Sequence, residues 1–334
     1  MDDERRILSA LVRCGLVSPG QGVRMSPLAG GVSCDVLKVE TDDKRVFVVK
    51  RALARLRVAA EWRAPVERMA SEVRWLELAR SVDPHLAPEV LAEDEDEHLF
   101  AMRYLDPQSH PVWKEELAAG RIEPAFAAAV GRDLARIHLV TAGRPEVAAR
   151  FPNDALFMAL RIDPFLLYVA GRDAQAGPRV RALAKDLEGR KAALAHGDIS
   201  PKNILMGPGG PVFLDAECAV YGDPAFDVAF CLAHLLLKTV WLKPHAPALM
   251  ASFDGLWAAY GPAIDWEPRE DLSRRAASLA AALLLARVDG KSPAPYLQAE
   301  ADKALVRLRG RALLADLDLD LDRLSDRWRN QAFD

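Results

Sequence analysis

The sequence predicts an α+β fold of two lobes, in which a β-rich N-terminal lobe precedes a mainly helical C-terminal lobe. Two observations predict this order. Between residue 23 and about residue 105, short apolar runs with alternating polarity are separated by turn residues, as is typical of strands. From about residue 110 onward, apolar side chains recur mostly at helical spacing. We therefore expect lobes of residues 1–105 and 106–334, with the boundary near residues 105–108.

The N-terminal half contains the signals for four strands and two helices. The first helix is expected at residues 4–17, and a second helix at 65–80 has Pro65 in its first turn. The residues at 41–44 (TDDK) predict a hairpin turn between two strands. The strands are expected at residues 23–28, 36–39, 46–49 and 98–105.

The C-terminal half is expected to be helical except for one hairpin. The residues at 204–214 (ILMGPGGPVFL) form two short apolar runs around a glycine-rich turn, and only this stretch of the half resembles strands. The helices are expected at residues 126–139, 180–194, 225–240, 253–260 and 271–288.

The composition is that of a globular protein without a charged partner surface. The chain has 334 residues, 51% of them hydrophobic, and a net charge of −4, so we expect no nucleic-acid or membrane partner. The four cysteines have neither zinc nor disulfide spacing. The first ten residues are acidic without an apolar stretch, and the longest apolar run, 276–286, is too short to span a bilayer. We therefore expect a cytoplasmic location.

Two short segments on either side of the predicted hairpin carry the most chemistry. Residues 196–203 (HGDISPKN) offer a carboxylate, Asp198, and five residues later an amide, Asn203; after the hairpin come Asp215 and Glu217. Phosphoryl transfer uses such a set, because one carboxylate orients the attacking hydroxyl while other oxygen atoms hold a magnesium ion. The alternative, a tight turn and a solvated loop, explains each segment alone but not their ordered pairing across a hairpin.

A single lysine ends an otherwise apolar strand. Lys50 follows the run at 46–49, where it is either an edge residue that discourages aggregation or a fixed cation for nucleotide phosphates. In the second case a glutamate of the next helix would steady it, and both Glu67 and Glu72 are candidates. Glu72 is favoured because it lies beside apolar positions, whereas Glu67 fits an ordinary carboxylate of a first helical turn.

A glycine pair lies where a phosphate-covering loop is expected, between the first two strands. Gly30, Gly31 and Ser33 are the candidate phosphate contacts, although most such pairs are simple turns. The segment does not form the GxGxxG pattern, and no GxxxxGK[ST] motif occurs in the chain.

Together these residues resemble the kinase-like superfamily of small-molecule phosphotransferases, which includes aminoglycoside phosphotransferases, choline kinase and 5-methylthioribose kinase. The resemblance implies a bilobal protein-kinase-like fold that transfers phosphate from ATP, with Mg²⁺, to a hydroxyl of a small molecule. It implies that Asp198 is the catalytic base and Lys50 the nucleotide lysine. Asn203 and Asp215 would be metal ligands, with Glu217 binding directly or through water.

The resemblance also identifies a hinge. Residues 102–105 (MRYL) match the segment whose backbone binds adenine, so the carbonyl of Arg103 and the amide of Leu105 are the expected contacts. Whether ATP or GTP is the donor is left open.

Two stretches, 50–68 and 215–227, resemble 5-methylthioribose kinases more than they resemble the antibiotic kinases. Those kinases hold the sugar with a pair of arginines, whereas this chain has Ala286 followed by Arg287. This chain also keeps Asn203, at a position where methylthioribose kinases tend to differ. Arg287 is therefore either an acceptor contact or a charge that neutralises its own helix end. Trp113 either lines the acceptor cleft or packs in the core. We expect a sugar or polyol other than methylthioribose as acceptor.

Two other functional classes remain as alternatives. A regulatory pseudokinase would have lost Lys50, Asp198, Asn203 or Asp215, and none is lost. A protein kinase is disfavoured because residues 215–226 leave no room for an activation loop.

Overall fold

The structure, a computed structural model, describes residues 2–28, 34–53 and 68–331 of the chain. Its N-terminal part is built on a five-stranded antiparallel sheet with strand order β1-β2-β3-β5-β4. The strands are β1 (Val23–Pro27), β2 (Cys34–Thr41), β3 (Val46–Ala52), β4 (Val90–Asp94) and β5 (Leu99–Arg103). Two helices accompany this sheet, α1 (Asp2–Arg13) and α2 (Arg68–Val82).

Successive side chains of β3 alternate between the two faces of the sheet, and only one of these faces packs against α1. Phe47 and Val49 pack with Ile7 and Leu11 of α1 in a small apolar core. Lys50, the next residue, lies on the opposite face, because successive side chains of a strand point to opposite sides. It is paired with Val36 in β2 and Phe100 in β5, so it sits in the central strand of the sheet.

The C-terminal part is a helical assembly around α9, which is buried from Ala225 to Val240. A helix that is apolar on all sides is expected at the centre of such an assembly. An unusual π-helical segment, Met158–Leu167, joins α6 to α7. The helices are α3 (Trp113–Ala118), α4 (Pro124–Thr141), α5 (Pro145–Arg150), α6 (Asp154–Phe157), α7 (Tyr168–Ala170), α8 (Gly177–Gly189), α9 (Ala225–Trp241), α10 (Ala246–Tyr260), α11 (Arg269–Asp289), α12 (Glu300–Leu314) and α13 (Leu321–Gln331).

Two small antiparallel sheets are inserted between α8 and α9. Strand β6 (Ala193–Ala195) pairs with β9 (Val220–Gly222), and β7 (Ile204–Gly207) forms a hairpin with β8 (Gly210–Phe213). The two loops that carry the predicted chemistry connect these strands, residues 196–203 before the hairpin and 214–219 after it.

The predicted α+β class is confirmed, with differences in particular elements. The helix expected at 180–194 is wrong at its end, since α8 stops at Gly189 and residues 193–195 form β6. The expectation of one strand-like stretch in the C-terminal half is wrong for the same reason, because β6 and β9 are also strands. Short, fully buried apolar runs have no periodicity that separates strand from helix. No helix within residues 2–28, 34–53 and 68–331 has the length and apolarity to cross a bilayer.

Candidate active site

A buried lysine joins the sheet, α2 and the loop after the hairpin. The Nζ atom of Lys50 lies 2.7 Å from Oε2 and 2.9 Å from Oε1 of Glu72, and it also contacts Oδ1 of Asp215. Lys50 and Glu72 are 5% and 1% exposed. Burial alone would lower the pKa of Lys50, but the two carboxylates outweigh burial and raise it well above its usual value. The lysine is therefore a permanent cation, fixed from two sides.

The loop at 196–203 is held by a buried carboxylate at the start of α9. Asp227 accepts hydrogen bonds from the backbone N–H groups of His196 (2.6 Å) and Gly197 (2.8 Å). Gly197 has φ +80°, and a Cβ atom there would lie 2.6 Å from the carbonyl oxygen of Cys218. Only glycine fits this position, because it tolerates the left-handed conformation and the close backbone approach. The loop is therefore held in this geometry by contacts within the protein.

His196 orients the loop as a neutral imidazole. Its Nδ1 accepts the backbone N–H of Asp198 at 3.1 Å, so the proton lies on Nε2, which donates to the carbonyl of Leu214 at 3.0 Å. Burial lowers the pKa of His196 below its usual value. The ring thus ties the loop of Asp198 to the residue before Asp215 and is not available as a proton shuttle.

Two cations flank the carboxylate of Asp198. Its Oδ2 lies 3.0 Å from Nη2 of Arg161 and 3.1 Å from Nζ of Lys202. Burial would raise the pKa of Asp198, but Arg161 and then Lys202 outweigh it and keep the pKa below its usual range. Asp198 is therefore ionised and can accept a hydrogen bond from a hydroxyl group.

The hairpin brings Asn203 and Asp215 to the same end, as the sequence predicted. Ile204 pairs with Phe213, and the N–H of Leu214 donates to the carbonyl of Asn203 at 2.9 Å. The side-chain N–H of Asn203 donates to the carbonyl of Asp198 at 3.0 Å, so its amide oxygen is the end left for a ligand. Asp215 has φ +66°, a strained conformation that aims its carboxylate toward Lys50 and Lys202. One amide and one carboxylate oxygen fit Mg²⁺, which keeps most of its water.

Glu217 lies nearby but is engaged by another group. Its Oε2 accepts a hydrogen bond from Nε of Arg68 at 2.9 Å, and the thiol of Cys34 lies 3.6 Å from the same atom. Arg68 is the first residue of α2 and is fully buried. Glu217 therefore anchors α2 to the loop that carries Asp215, and its direct binding to a metal stays a prediction.

Of the other predicted nucleotide contacts, two lie within the described residues and the rest fall outside them. Arg103 ends β5 and pairs through its side chain with Glu89 at 2.5 Å, which leaves the predicted role to its backbone. Leu105 lies two residues beyond the strand and is half-buried. Gly30, Gly31, Ser33 and Glu67 fall outside the described residues.

The two acceptor candidates differ in their surroundings. Trp113 is 1% exposed and packs edge to face on Phe126, with 5.3 Å between ring centroids, which is the core position that the sequence allowed as an alternative. Arg287, in the last turn of α11, bonds the side-chain oxygen of Ser292 at 3.0 Å and the backbone oxygen of the same residue. It also lies near enough to Asp198 for that charge to act on its pKa.

Sequence reasoning missed Arg161 and Lys202. Arg161 lies in the π-helical segment, 7% exposed, and its Nε also donates to the carbonyl of Gly197. No motif marks this arginine in the sequence. Lys202 did carry a signal, since it lies four residues after Asp198 in the same short loop.

Comparisons with known proteins identify the family of this chain. The model of the phosphotransferase enzyme family matches residues 24–272. A methylthioribose kinase of Pectobacterium carotovorum subsp. carotovorum (strain PC1) is 29% identical over 241 residues, which cover 64% of this chain and 58% of that protein. The chain thus spans less than two thirds of this relative's length.

Solved structures share the fold at low sequence identity. An amicoumacin kinase in complex with AMP-PNP and Ca²⁺ aligns with a TM-score of 0.60 and 12% identity, over 96% of this chain and 95% of that one. A choline/ethanolamine kinase family protein from Mesorhizobium loti aligns with a TM-score of 0.52 and 17% identity, over 98% and 99%. With a family model that matches most of its length, this chain belongs to the phosphotransferase enzyme family.

Proposed function

We propose that this protein is a kinase that transfers the γ-phosphoryl group of ATP to a hydroxyl group of a small molecule. One observation carries the proposal: a fixed cation, Lys50, and an ionised carboxylate, Asp198, flank the hairpin end formed by Asn203 and Asp215. Phosphoryl transfer depends mainly on positioning and on compensating negative charge, and this arrangement supplies both.

Each residue has a separate part in the reaction. Lys50 binds the α- and β-phosphates, and Glu72 keeps it in place when the nucleotide draws it away from Asp215. Asp198 accepts a hydrogen bond from the acceptor hydroxyl and orients its oxygen toward the γ-phosphate. Lys202, 47% exposed at the same carboxylate, is placed to neutralise charge on the transferred group. Arg161 keeps Asp198 ionised and in position.

Asn203 and Asp215 would hold the divalent cation, which the resemblance implies is Mg²⁺. Such an ion, when bound, would offset the negative charge of the nucleotide phosphates. The backbone of residues 103–105 would bind the adenine ring. None of the four residues whose loss would mark a pseudokinase is missing. Lys50 contacts Asp215, and the side chain of Asn203 donates to the carbonyl of Asp198. The backbone of Asn203 bonds Leu214, the residue before Asp215.

A second acceptor, 5-methylthioribose, is favoured by the 29% identical relative rather than by the residues of the site. Only Arg287 stands where a pair of arginines is expected, so we propose that this thiosugar is a poor substrate. A cytoplasmic location is part of the same proposal.

The test is a screen for ADP release by the purified protein with ATP and MgCl₂. The acceptors are aminoglycosides, amino alcohols, 5-methylthioribose and other sugars, and neutral and acidic polyols. Product formation that disappears in Asp198→Asn supports the proposal, and the variant excludes a contaminating kinase. A protein that binds neither ATP nor GTP in the presence of Mg²⁺ contradicts it. Efficient turnover of 5-methylthioribose would overturn the ranking of acceptors.

A further inference from the structure

A group of cationic and aromatic side chains extends from Arg161, which forms an ion pair with Asp198. It draws on the π-helical segment, which precedes the catalytic loop in the chain, and on α9, α11 and the loop after α11, which follow it. We call it the acceptor-side cluster, and its members are Arg161, His234, Lys238, Arg287 and Tyr296.

One face of α9 supplies the middle of the cluster. Phe230, His234, Lys238 and Trp241 follow one another at intervals of four, four and three residues, so they lie along the same side of the helix. The ring centroids of Phe230 and His234 are 5.2 Å apart, and Arg161 lies over the Phe230 ring at 6.0 Å. This face therefore leads from the catalytic loop, anchored at the start of α9, toward Lys238 near its end.

Lys238 is a buried cation with no carboxylate partner among the described residues. It is 1% exposed, and its ammonium faces the rings of Tyr296 at 4.4 Å and Trp241 at 5.5 Å. Among the described residues the carboxylate whose charge reaches it is Glu115, and none forms an ion pair with it. Aromatic faces attract a cation but do not replace a counter-charge, so burial of Lys238 is unfavourable in the free protein.

Arg287 repeats this pattern on α11. Its Nη1 bonds Ser292, but its Nε is buried without a hydrogen-bond partner among the described residues, and no described carboxylate pairs with it. The hydroxyl of Tyr296 is buried without a partner as well. Buried polar groups are normally satisfied, and an exception calls for an explanation. Within this cluster the Nε of Arg287 and the hydroxyl of Tyr296 thus lack hydrogen-bond partners among the described residues.

The members of the cluster are close enough to influence one another. Burial, followed by the charges of Arg287, Lys238 and Lys202, lowers the pKa of His234 well below its usual value. The charges of both Asp198 and Arg161 act on Arg287. The acidic group whose charge reaches Lys238 is Glu115, and it acts more weakly there than Lys114 and Arg287. Apart from Asp198, which Arg161 and Lys202 already neutralise, the cluster has an excess of positive charge.

We propose that the acceptor-side cluster binds an anionic group of the hydroxylated acceptor, a carboxylate or a phosphate, through Lys238, Arg287 and Tyr296. The inference rests on the proposed function and narrows its substrate class. An oxyanion supplies both things that the cluster lacks, a negative charge and several hydrogen-bond acceptors, and the flat guanidinium of Arg287 suits it. Amino alcohols and aminoglycosides, which carry positive charge, are excluded by the same cations.

The test compares four acceptors with one six-carbon skeleton: sorbitol, gluconate, sorbitol 6-phosphate and glucamine. Binding to the full chain is measured by calorimetry with Mg²⁺ and a non-hydrolysable ATP analogue, and turnover by ADP release. We expect gluconate or sorbitol 6-phosphate to bind at least about tenfold more tightly than sorbitol, and glucamine most weakly. Comparison of gluconate with sorbitol 6-phosphate shows whether the cluster binds a carboxylate or a phosphate more tightly.

Lys238→Met and Arg287→Gln are the informative variants, and Lys243→Met, an exposed lysine paired with Asp302 just after α9, is the control. Lys238→Met should reduce the preference for the anion over sorbitol to within about twofold while KM for ATP stays unchanged. The control should keep the full preference. A lysine that only packs against Tyr296 and Trp241 would leave this ratio unaltered.

Three results overturn the inference: sorbitol or glucamine binding as tightly as both anions, an unaltered preference in Lys238→Met, or no measurable binding of either anion. The proposed function fails separately. If the anions bind selectively but no acceptor is phosphorylated, the anion site stands and the kinase proposal falls. If neutral acceptors are phosphorylated without any anion preference, the kinase proposal stands and the anion site falls.

Discussion

The nucleotide side and the acceptor side of Asp198 hold similar charges in opposite states of pairing. On the nucleotide side Lys50 has two carboxylate partners, Glu72 and Asp215. On the acceptor side Lys238 and Arg287 have no carboxylate partner among the described residues. The charge of Lys50 is compensated within the protein, whereas we propose that the charges of Lys238 and Arg287 are compensated by a bound anion.

This difference separates reaction chemistry from substrate choice. Internal ion pairs hold Lys50 and Asp198 at fixed positions before any ligand arrives, which suits groups that act on every turnover. An uncompensated buried cation lowers the free energy of unfolding. We expect such a cation at a position where it binds a ligand. The paired region, which contains Lys50, Asp198 and their ion-pair partners, should therefore control kcat. The unpaired region, which contains Lys238 and Arg287, should control KM for the acceptor.

The largest effect is expected from Asp198→Asn. The amide cannot accept the hydroxyl proton, and Arg161 and Lys202 lose their shared counter-charge. We expect kcat to fall by about three orders of magnitude or more while the affinity for ATP changes little. Steady-state kinetics and nucleotide titration measure the two quantities.

The matched control is Asp271→Asn, an exposed carboxylate in the first turn of α11 that pairs with Arg274. It should keep normal kcat. If Asp198→Asn retained more than about a tenth of the normal kcat, Asp198 would not be the base, and the paired region would not control the chemistry.

The next effect concerns the metal and compares Asp215→Asn with Glu217→Gln. Asp215 faces Asn203 across the hairpin end, whereas Glu217 is held by Arg68. We expect Asp215→Asn to lower kcat by about two orders of magnitude and to raise the Mg²⁺ concentration for half-maximal activity. Glu217→Gln should lower stability but leave that concentration nearly unchanged.

Titration of activity with MgCl₂ at saturating ATP, together with thermal unfolding, measures both effects. A larger Mg²⁺ requirement in Glu217→Gln than in Asp215→Asn would identify Glu217 as a direct metal ligand and would reverse this assignment.

How far the sequence predicts the site follows from the same contrast. The paired region lies in compact motifs, since residues 196–203 and 214–217 flank one hairpin, and antiparallel pairing makes their approach predictable. Glu72 was favoured over Glu67 from its apolar neighbours, and the structure places Glu72 against Lys50. Local order along the chain was sufficient there.

The residues of the unpaired region could not be predicted from local sequence patterns. Arg161, Lys238 and Tyr296 lie on three separate segments, and only the packing of α9 against its neighbours brings them together. A lysine within an apolar helix gives no sequence signal of whether it reaches solvent, a carboxylate or an aromatic ring. The π-helical turn that places Arg161 at Asp198 has no signature in the local sequence pattern.

A smaller effect tests how Lys50 is held. Glu72→Gln removes one of its two carboxylates, whereas Glu77→Gln alters an exposed glutamate on the same helix. We expect Glu72→Gln to lower kcat/KM for ATP by about tenfold and Glu77→Gln to have no effect. Equal kinetics in the two variants would show that Asp215 alone positions the lysine.

The smallest effect is on stability and tests whether Lys238 is uncompensated. Burial, with the charges of Lys114 and Arg287, lowers the pKa of Lys238 from 10.5 to about 8, and Glu115 opposes this. Between these two pH values the unfolded chain binds more protons than the folded chain, so the free energy of unfolding rises with pH. Lys238→Met should be more stable than the unaltered protein at pH 7, by up to about 3 kcal/mol, and the difference should vanish toward pH 10.5.

Urea unfolding of both proteins at a series of pH values between 7 and 10.5 measures this difference, with Lys243→Met as the exposed control that should show none. If Lys238→Met is less stable than the unaltered protein at pH 7, the contacts with Tyr296 and Trp241 outweigh the cost of burial, and the lysine is a structural element. If it is more stable and also loses its preference for anionic acceptors, the cation is maintained at the expense of stability because the acceptor requires it.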